Sequence, residues 1–202
     1  MGNIWHYSII VFMAFFAIMN PMVNIPVFIR VTAGLSSEKK RQISRTATLV
    51  AFFIVITFIL LGKYIFQIFG LTIPAFKVFG GILIFITGFE MLHTKQIKQP
   101  ELVPFDEKVA ISPLAIPILA GPGTIVTGMN FVADANYLQV IITILILALF
   151  VYLTYWAFNF SSFLVEKIGE KYFNIVGKIM GIILGVLGAN MLLEGIHLAF
   201  DI

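Results

Sequence analysis

AIMNPMVNIPVF, Ala17–Phe28, puts two asparagines and two prolines into a segment otherwise apolar enough to cross a bilayer. Proline removes a backbone N–H and clashes with the preceding helical turn, and a side-chain amide is costly in hydrocarbon. Asparagine, however, is a preferred helix N-cap, and proline suits the first helical position, where its missing N–H costs nothing. The order Asn20-Pro21 therefore predicts that one helix ends near Asn20 and another begins at Pro21, inside a single span.

The sequence around this stretch sets the class. Of 202 residues, 60% are hydrophobic and 11% charged, against about a quarter charged in a soluble domain. Mean hydropathy is +1.03. A chain of this size cannot hide so much apolar surface in one water-soluble core. Runs such as TLVAFFIVITFILLG (Thr48–Gly62) and VIITILILALFVYLTYWAFNF (Val140–Phe160) supply, with their flanks, the roughly 20 residues of a membrane-crossing helix. The fold class expected is all-α, a polytopic membrane protein forming one transmembrane domain over residues 1–202. MGNIWHYSII has no Lys or Arg ahead of its apolar run and reads as a retained first span rather than a signal peptide. The absence of cysteine excludes disulfides and thiol chemistry.

Six transmembrane helices are predicted, near Tyr7–Ile29, Ser44–Gly62, Pro74–Leu92, Val109–Phe131, Tyr137–Phe158 and Asn174–Leu198. The first, third and fifth connections and their flanks then carry Arg30, Lys39, Lys40, Arg41, Arg45, Lys95, Lys98, Lys108, Lys167, Lys171 and Lys178, eleven of the thirteen basic residues. Only Lys63 and Lys77 fall on the other side. The positive-inside rule places the eleven in the cytoplasm and both termini outside a multi-pass cell (inner) membrane. These charges belong to loops facing lipid headgroups, so no nucleic-acid partner is expected. SSEKKRQISR (Ser36–Arg45) reads as a short capped surface helix, and IKQPELVPFDEK (Ile97–Lys108) as a linker between halves.

The halves resemble one another. GILIFITGFEML (Gly81–Leu92) and GIILGVLGANML (Gly181–Leu192) are identical at five of twelve positions at an offset of 100, and Asn20-Pro21 corresponds to Gly121-Pro122. This predicts two three-helix repeats, about 1–95 and 106–202. Three spans is an odd number, so the repeats are inverted, as in many secondary transporters. Gly177, Gly181, Gly185 and Gly188 have the helical spacing that lets another helix approach closely.

With the first and fourth helices both broken near mid-membrane, two half-helix N-termini face each other there. Each presents unpaired N–H groups and roughly half a positive charge, which suits a small anionic group such as a carboxylate. The competing structural reading is that the prolines only kink packed helices. Candidate substrate-binding residues are Asn20, Pro21, Asn24, Gly121, Pro122, Gly123, Thr124 and Thr127, with Asn130 continuing the threonine stripe toward the outer surface. Pro26, Pro113 and Pro117 carry less weight. Glu90 and its repeat mate Asn190 are candidate coupling residues, although Glu90 and Glu194 lie where snorkelling to the headgroups serves equally well. His6, His93 and His197 form no metal or catalytic constellation, and there is no nucleophile–base set or Walker loop. No enzyme activity and no cofactor are expected, with a proton or sodium ion as the coupling candidate.

NP-x-x-NIPVF, GLS-x-E-x-x-R and PLAIP-x-LAGPGTI-x-T together resemble the MarC family of integral membrane proteins over essentially the whole chain. Asn20, Pro21, Asn24 and Pro26 match the first motif, which often carries Gly at the position of Asn24. Gly121, Pro122, Gly123, Thr124 and Thr127 match the last. The resemblance implies transport of small neutral amino acids such as glycine or alanine. The reading is therefore a secondary transporter working by alternating access, with lipid and a small neutral amino acid as partners and homo-oligomerisation open. Alternatives are a small-solute channel, a scaffold that recruits partner helices, or a drug or metabolite exporter. The last is disfavoured because the stretches around the breaks lack clustered aromatics.

Overall fold

Asn20 divides the first span. In the computed structural model, which describes residues 4–93 and 119–200, α1 (Ile4–Met19) stops one residue before it and α2 (Pro21–Val31) starts one residue after it. Together they make one membrane-length segment, Ile4–Ile29.

α3 (Ser37–Phe69) starts where the Ser36 hydroxyl accepts the Lys39 N–H at 3.4 Å, and it ends at Gly70, whose φ of +63° is the left-handed cap conformation that glycine adopts most easily. Its 33 residues span about 50 Å, more than the ~30 Å hydrocarbon layer. This corrects the expectation of a separate surface helix over Ser36–Arg45. The cap is where the sequence put it, but the helix runs on into the bilayer without a break. A helix satisfies its own backbone, so passing from water into lipid requires no interruption.

α4 (Ile73–His93) follows, with the Thr72 hydroxyl accepting the Ala75 N–H at 3.3 Å. Beyond the residues not described, α5 (Pro122–Val132) begins after Gly121. α6 (Tyr137–Asn159) opens with a reciprocal capping box between Asn136 and Gln139. A short α7 (Ser161–Ile168), which the apolar pattern did not reveal, leads into α8 (Glu170–Phe200).

Five segments among the described residues are long and apolar enough to cross a membrane: Ile4–Ile29, Ser37–Gly62, Ile73–His93, Tyr137–Asn159 and Asn174–Phe200. Of the predicted fourth span, Val109–Phe131, only the part from Leu119 is described. Pro113, Pro117 and the linker Ile97–Lys108 lie outside the described residues.

Two packing systems hold the helices together. α4 and α8 run antiparallel in backbone contact: a Cβ on Gly81 would stand 2.7 Å from the Gly188 carbonyl oxygen, and one on Gly88 would stand 2.6 Å from that of Gly181. At the far end of this seam the Lys77 ammonium donates to Glu194 Oε1 at 2.5 Å. The other system wraps α1, α2, α3 and α5 around α6. Along α6, Tyr7 meets Thr143, Phe12 and Phe16 meet Phe150, and Phe28 stacks on Phe158 at 4.3 Å. This ascending order on both chains makes α1 and α2 run parallel to α6, so α2 continues the direction of α1 past the break.

Candidate functional site

The break is built from its own side chains. Asn20 N–H still reaches the Phe16 carbonyl at 3.2 Å, closing α1. Asn20 Oδ1 then accepts the N–H of Val23, the third residue of α2, at 3.4 Å, the usual N-cap geometry in a long form. Asn24 Nδ2 donates to the Met19 carbonyl at 2.7 Å. That bond satisfies the acceptor left over because Val23 N–H, which an unbroken helix would have sent to Met19, turns to Asn20 instead. Asn24 is thus employed in the hinge, and Asn20 is the residue with an amide to spare.

Asn20 is 2% exposed, and its Nδ2 has no hydrogen-bond partner. Other buried polar side chains behave differently. Thr32, Thr48 and Thr154 each donate to the carbonyl four residues back, the ordinary way a hydroxyl is accommodated in a membrane helix. A buried donor left unmade costs about 1–3 kcal/mol, so the Asn20 amide is an exception in need of a reason.

The start of α5 lies at the same level. Gly121 is extended, with φ −64° and ψ 164°, and caps α5 without a side chain, while Pro122 takes the first helical position. A Cβ on Gly123 would fall 2.8 Å from Ile18 Cδ1 and 3.8 Å from the Thr87 hydroxyl. At the other end of α5 the Tyr7 hydroxyl donates to the Phe131 carbonyl at 2.9 Å. Contacts Ile18–Gly123 and Tyr7–Phe131 fix α5 antiparallel to α1. Since α2 continues along α1, α2 and α5 start at one level and run in opposite directions. Their first-turn N–H groups, other than that of Val23, which Asn20 takes, and the missing ones of Pro21 and Pro122, are the donors without intrahelical acceptors.

Gly121, Gly123, Thr124 and Thr127 are buried, as is Pro21. Asn130 lies two turns further along α5, and its Oδ1 is a second buried polar atom with no partner. Glu90 and Asn190 sit on exposed faces of α4 and α8, apart from this group. A groove of about 550 Å³ bounded by Thr72, Ala75, Val78, Phe79 and Leu198 opens at the start of α4 and the end of α8, away from both breaks. Among the described residues no cluster of three His, Asp or Glu could hold a metal.

Sequence reasoning missed the surroundings. Phe150 and Phe158 of α6 pack on Phe16 and Phe28, which lie on either side of the break, so α6 adds its rings to those the first span already carries. Ile18 and Thr87 also border Gly123 with no local signal to mark them.

Residues 5–200 match the family model described as MarC family integral membrane protein. A Bacillus subtilis protein named UPF0056 membrane protein YvbG is 34% identical, the match covering 95% of each chain. The Escherichia coli UPF0056 membrane protein YhcE is 31% identical over 92% of this chain and 89% of its own. An Aquifex aeolicus UPF0056 membrane protein is 32% identical over 92% and 90%. No solved structure gives a significant match. With the family model matched nearly end to end and relatives above 30% identity over almost the whole chain, the chain belongs to the MarC family of integral membrane proteins.

Proposed function

We propose that this protein is a secondary transporter of small neutral amino acids, of glycine or alanine size, and not an enzyme. The observation that carries this reading is the unpartnered amide of Asn20, buried beside two helix starts that run in opposite directions. A spare N–H donor calls for an acceptor. So do the first-turn N–H groups of α2 and α5 and the positive ends of their dipoles. A substrate carboxylate would meet all of these at once. Thr124 and Thr127 would add hydroxyls, and a proton or sodium ion would couple the cycle. The enclosed setting favours a short side chain.

Inverted repeats underlie the proposal. At an offset of 100, the contact of Gly81 with Gly188 becomes that of Gly181 with Gly88, and both are made. The α4–α8 seam thus maps onto itself under exchange of the halves, as a pseudo-twofold axis in the membrane plane requires. The charge bias supports an orientation with the lysine-rich ends in the cytoplasm and both termini outside.

Reconstituted vesicles test the reading. Uptake of labelled glycine or alanine should saturate, and Asn20→Ala should abolish it while the protein stays folded. Flux rising linearly with concentration would identify a channel. Absence of saturable uptake across small amino acids would remove the substrate class.

A further inference from the structure

α8 carries two stripes of different chemistry. One faces α4 and consists of Gly181, Leu184, Gly188, Met191 and Gly195, all buried. The opposite stripe is Ile179, Ile183, Val186, Asn190, Leu193 and His197, all exposed. Its steps alternate four and three residues, the heptad spacing with which one helix packs along another. Aliphatic residues on such a face need no partner in lipid. Asn190 is the exception.

Asn190 lies three residues past the middle of the segment Asn174–Phe200. A rise of 1.5 Å per residue puts it roughly 5 Å from mid-membrane, leaving about 10 Å of hydrocarbon to the nearer headgroups. An asparagine side chain is too short to snorkel that far. Among the described residues its carboxamide has no hydrogen-bond partner. An exposed amide at this depth is as costly as a buried one, because lipid offers neither donor nor acceptor.

We propose that this stripe of α8 is a homodimer interface, in which Asn190 pairs with the same residue of a second copy across a twofold axis normal to the membrane. A carboxamide has both a donor and an acceptor, so it complements itself, as an isologous contact requires. Two copies inserted in the same direction present their α8 helices in parallel, bringing identical heptad positions opposite each other. A single central asparagine at such a seam fixes register. Glu194 borders the stripe and would face its counterpart, but Lys77 of the same chain holds it, which removes the like-charge repulsion.

The natural chain has no cysteine, so single cysteines report the interface directly in the full-length protein in lipid vesicles. Val186→Cys and Leu193→Cys should form crosslinked dimers under mild oxidation, whereas Leu145→Cys, 62% exposed on α6, should not. Adding Asn190→Leu to Val186→Cys should lower dimer yield on lipid dilution by about three- to tenfold, the weight of an interhelical hydrogen bond in a membrane. Asn190→Gln should retain it. Leucine suits a lipid-facing site, and an unchanged elution profile in detergent would confirm folding. Equal crosslinking at Leu145→Cys, crosslinks to other proteins only, or a dimer yield untouched by Asn190→Leu would overturn the proposal.

Discussion

Two regions of this protein use glycine to bring helices together, with opposite consequences. At the α4–α8 seam, Gly81, Gly88, Gly181 and Gly188 set backbone against backbone. At the α1–α2 break, Gly123 admits only the tip of Ile18, and a buried amide beside it has no partner. The seam has no side chain that could yield, so it acts as one body. The break has a hinge, an adjustable side chain and spare donors. The transport cycle proposed above needs a part that holds, here α4 against α8, and a part that a ligand can reset.

The largest expected effect tests the fixed part. A Cβ on Gly88 would lie 2.5 Å from the Gly185 nitrogen and 2.6 Å from the Gly181 oxygen. Neither atom can move without its helix. Gly88→Leu should therefore destabilise by about 3 kcal/mol or more, seen as a large fall in melting temperature or loss of monodisperse protein in detergent. Gly185 is the internal control: nothing stands within 4 Å of its Cβ position. Gly185→Ala should change stability by about 0.5 kcal/mol or less, or raise it through helix propensity. Similar losses from both would mean the seam is not closed by backbone contact.

Next comes the polar end of the same seam. Lys77 is buried, whereas the Glu194 side chain is 54% exposed. Glu194→Gln leaves an ammonium without its carboxylate. Breaking a fully buried pair costs roughly 3–5 kcal/mol. Glu194 lies one turn nearer the headgroups than Asn190, within reach of the interface, which reduces that to about 1–2 kcal/mol in the thermal melt. Lys77→Met should cost less than Glu194→Gln, since methionine fills the space and the carboxylate left alone is the less buried of the two charges. The reverse order would show that the carboxylate, not the ammonium, is the member that needs the pair.

Asn20→Ala probes the movable part. Losing an N-cap costs about 1 kcal/mol, and removing an unpartnered Nδ2 returns some of it, so stability should fall slightly or not at all. Saturable uptake should vanish. A variant that is barely destabilised and wholly inactive would separate this region from the seam, where function is lost only with the fold. Uptake that survives Asn20→Ala would leave the spare amide without a role.

Much of this contrast was legible in the sequence, for a physical reason. Caps and breakers act locally, so Asn20-Pro21 and Gly121-Pro122 announce helix starts to anyone reading along the chain. Glycines at helical spacing announce a close approach, although the repeat at an offset of 100 spoke of duplication and did not name the helix that approaches. What a linear pattern cannot carry is the identity of partners far apart in sequence. Lys77 and Glu194 are 117 residues apart, and Tyr7 and Thr143 are 136 apart. Likewise, nothing near Asn20 signals that Phe16 and Phe28 pack on Phe150 and Phe158 of α6. The length of α3 was misread because charge marks where a helix leaves the bilayer, not where it ends. Exposure was the other blind spot: the 3.6-residue period shows two faces on α8 but not which of them meets α4.

The smallest expected effect is the most discriminating. A methyl group at Gly123 would meet Ile18 Cδ1 at 2.8 Å, the far end of a side chain with rotamers to spare. Ile18 is half-buried and can turn aside, so Gly123→Ala should cost about 1 kcal/mol or less. Ile18 stands two residues before Asn20, and displacing it should alter the approach to the spare amide. Half-saturation of uptake should therefore rise severalfold at nearly unchanged stability, and Ile18→Val in the same chain should restore it by removing the crowded methyl. If Gly123→Ala instead melts the protein as severely as Gly88→Leu, the breaks are packed as tightly as the seam. A region with no slack cannot reset around a ligand, and the interruption at Asn20-Pro21 would then be a structural kink.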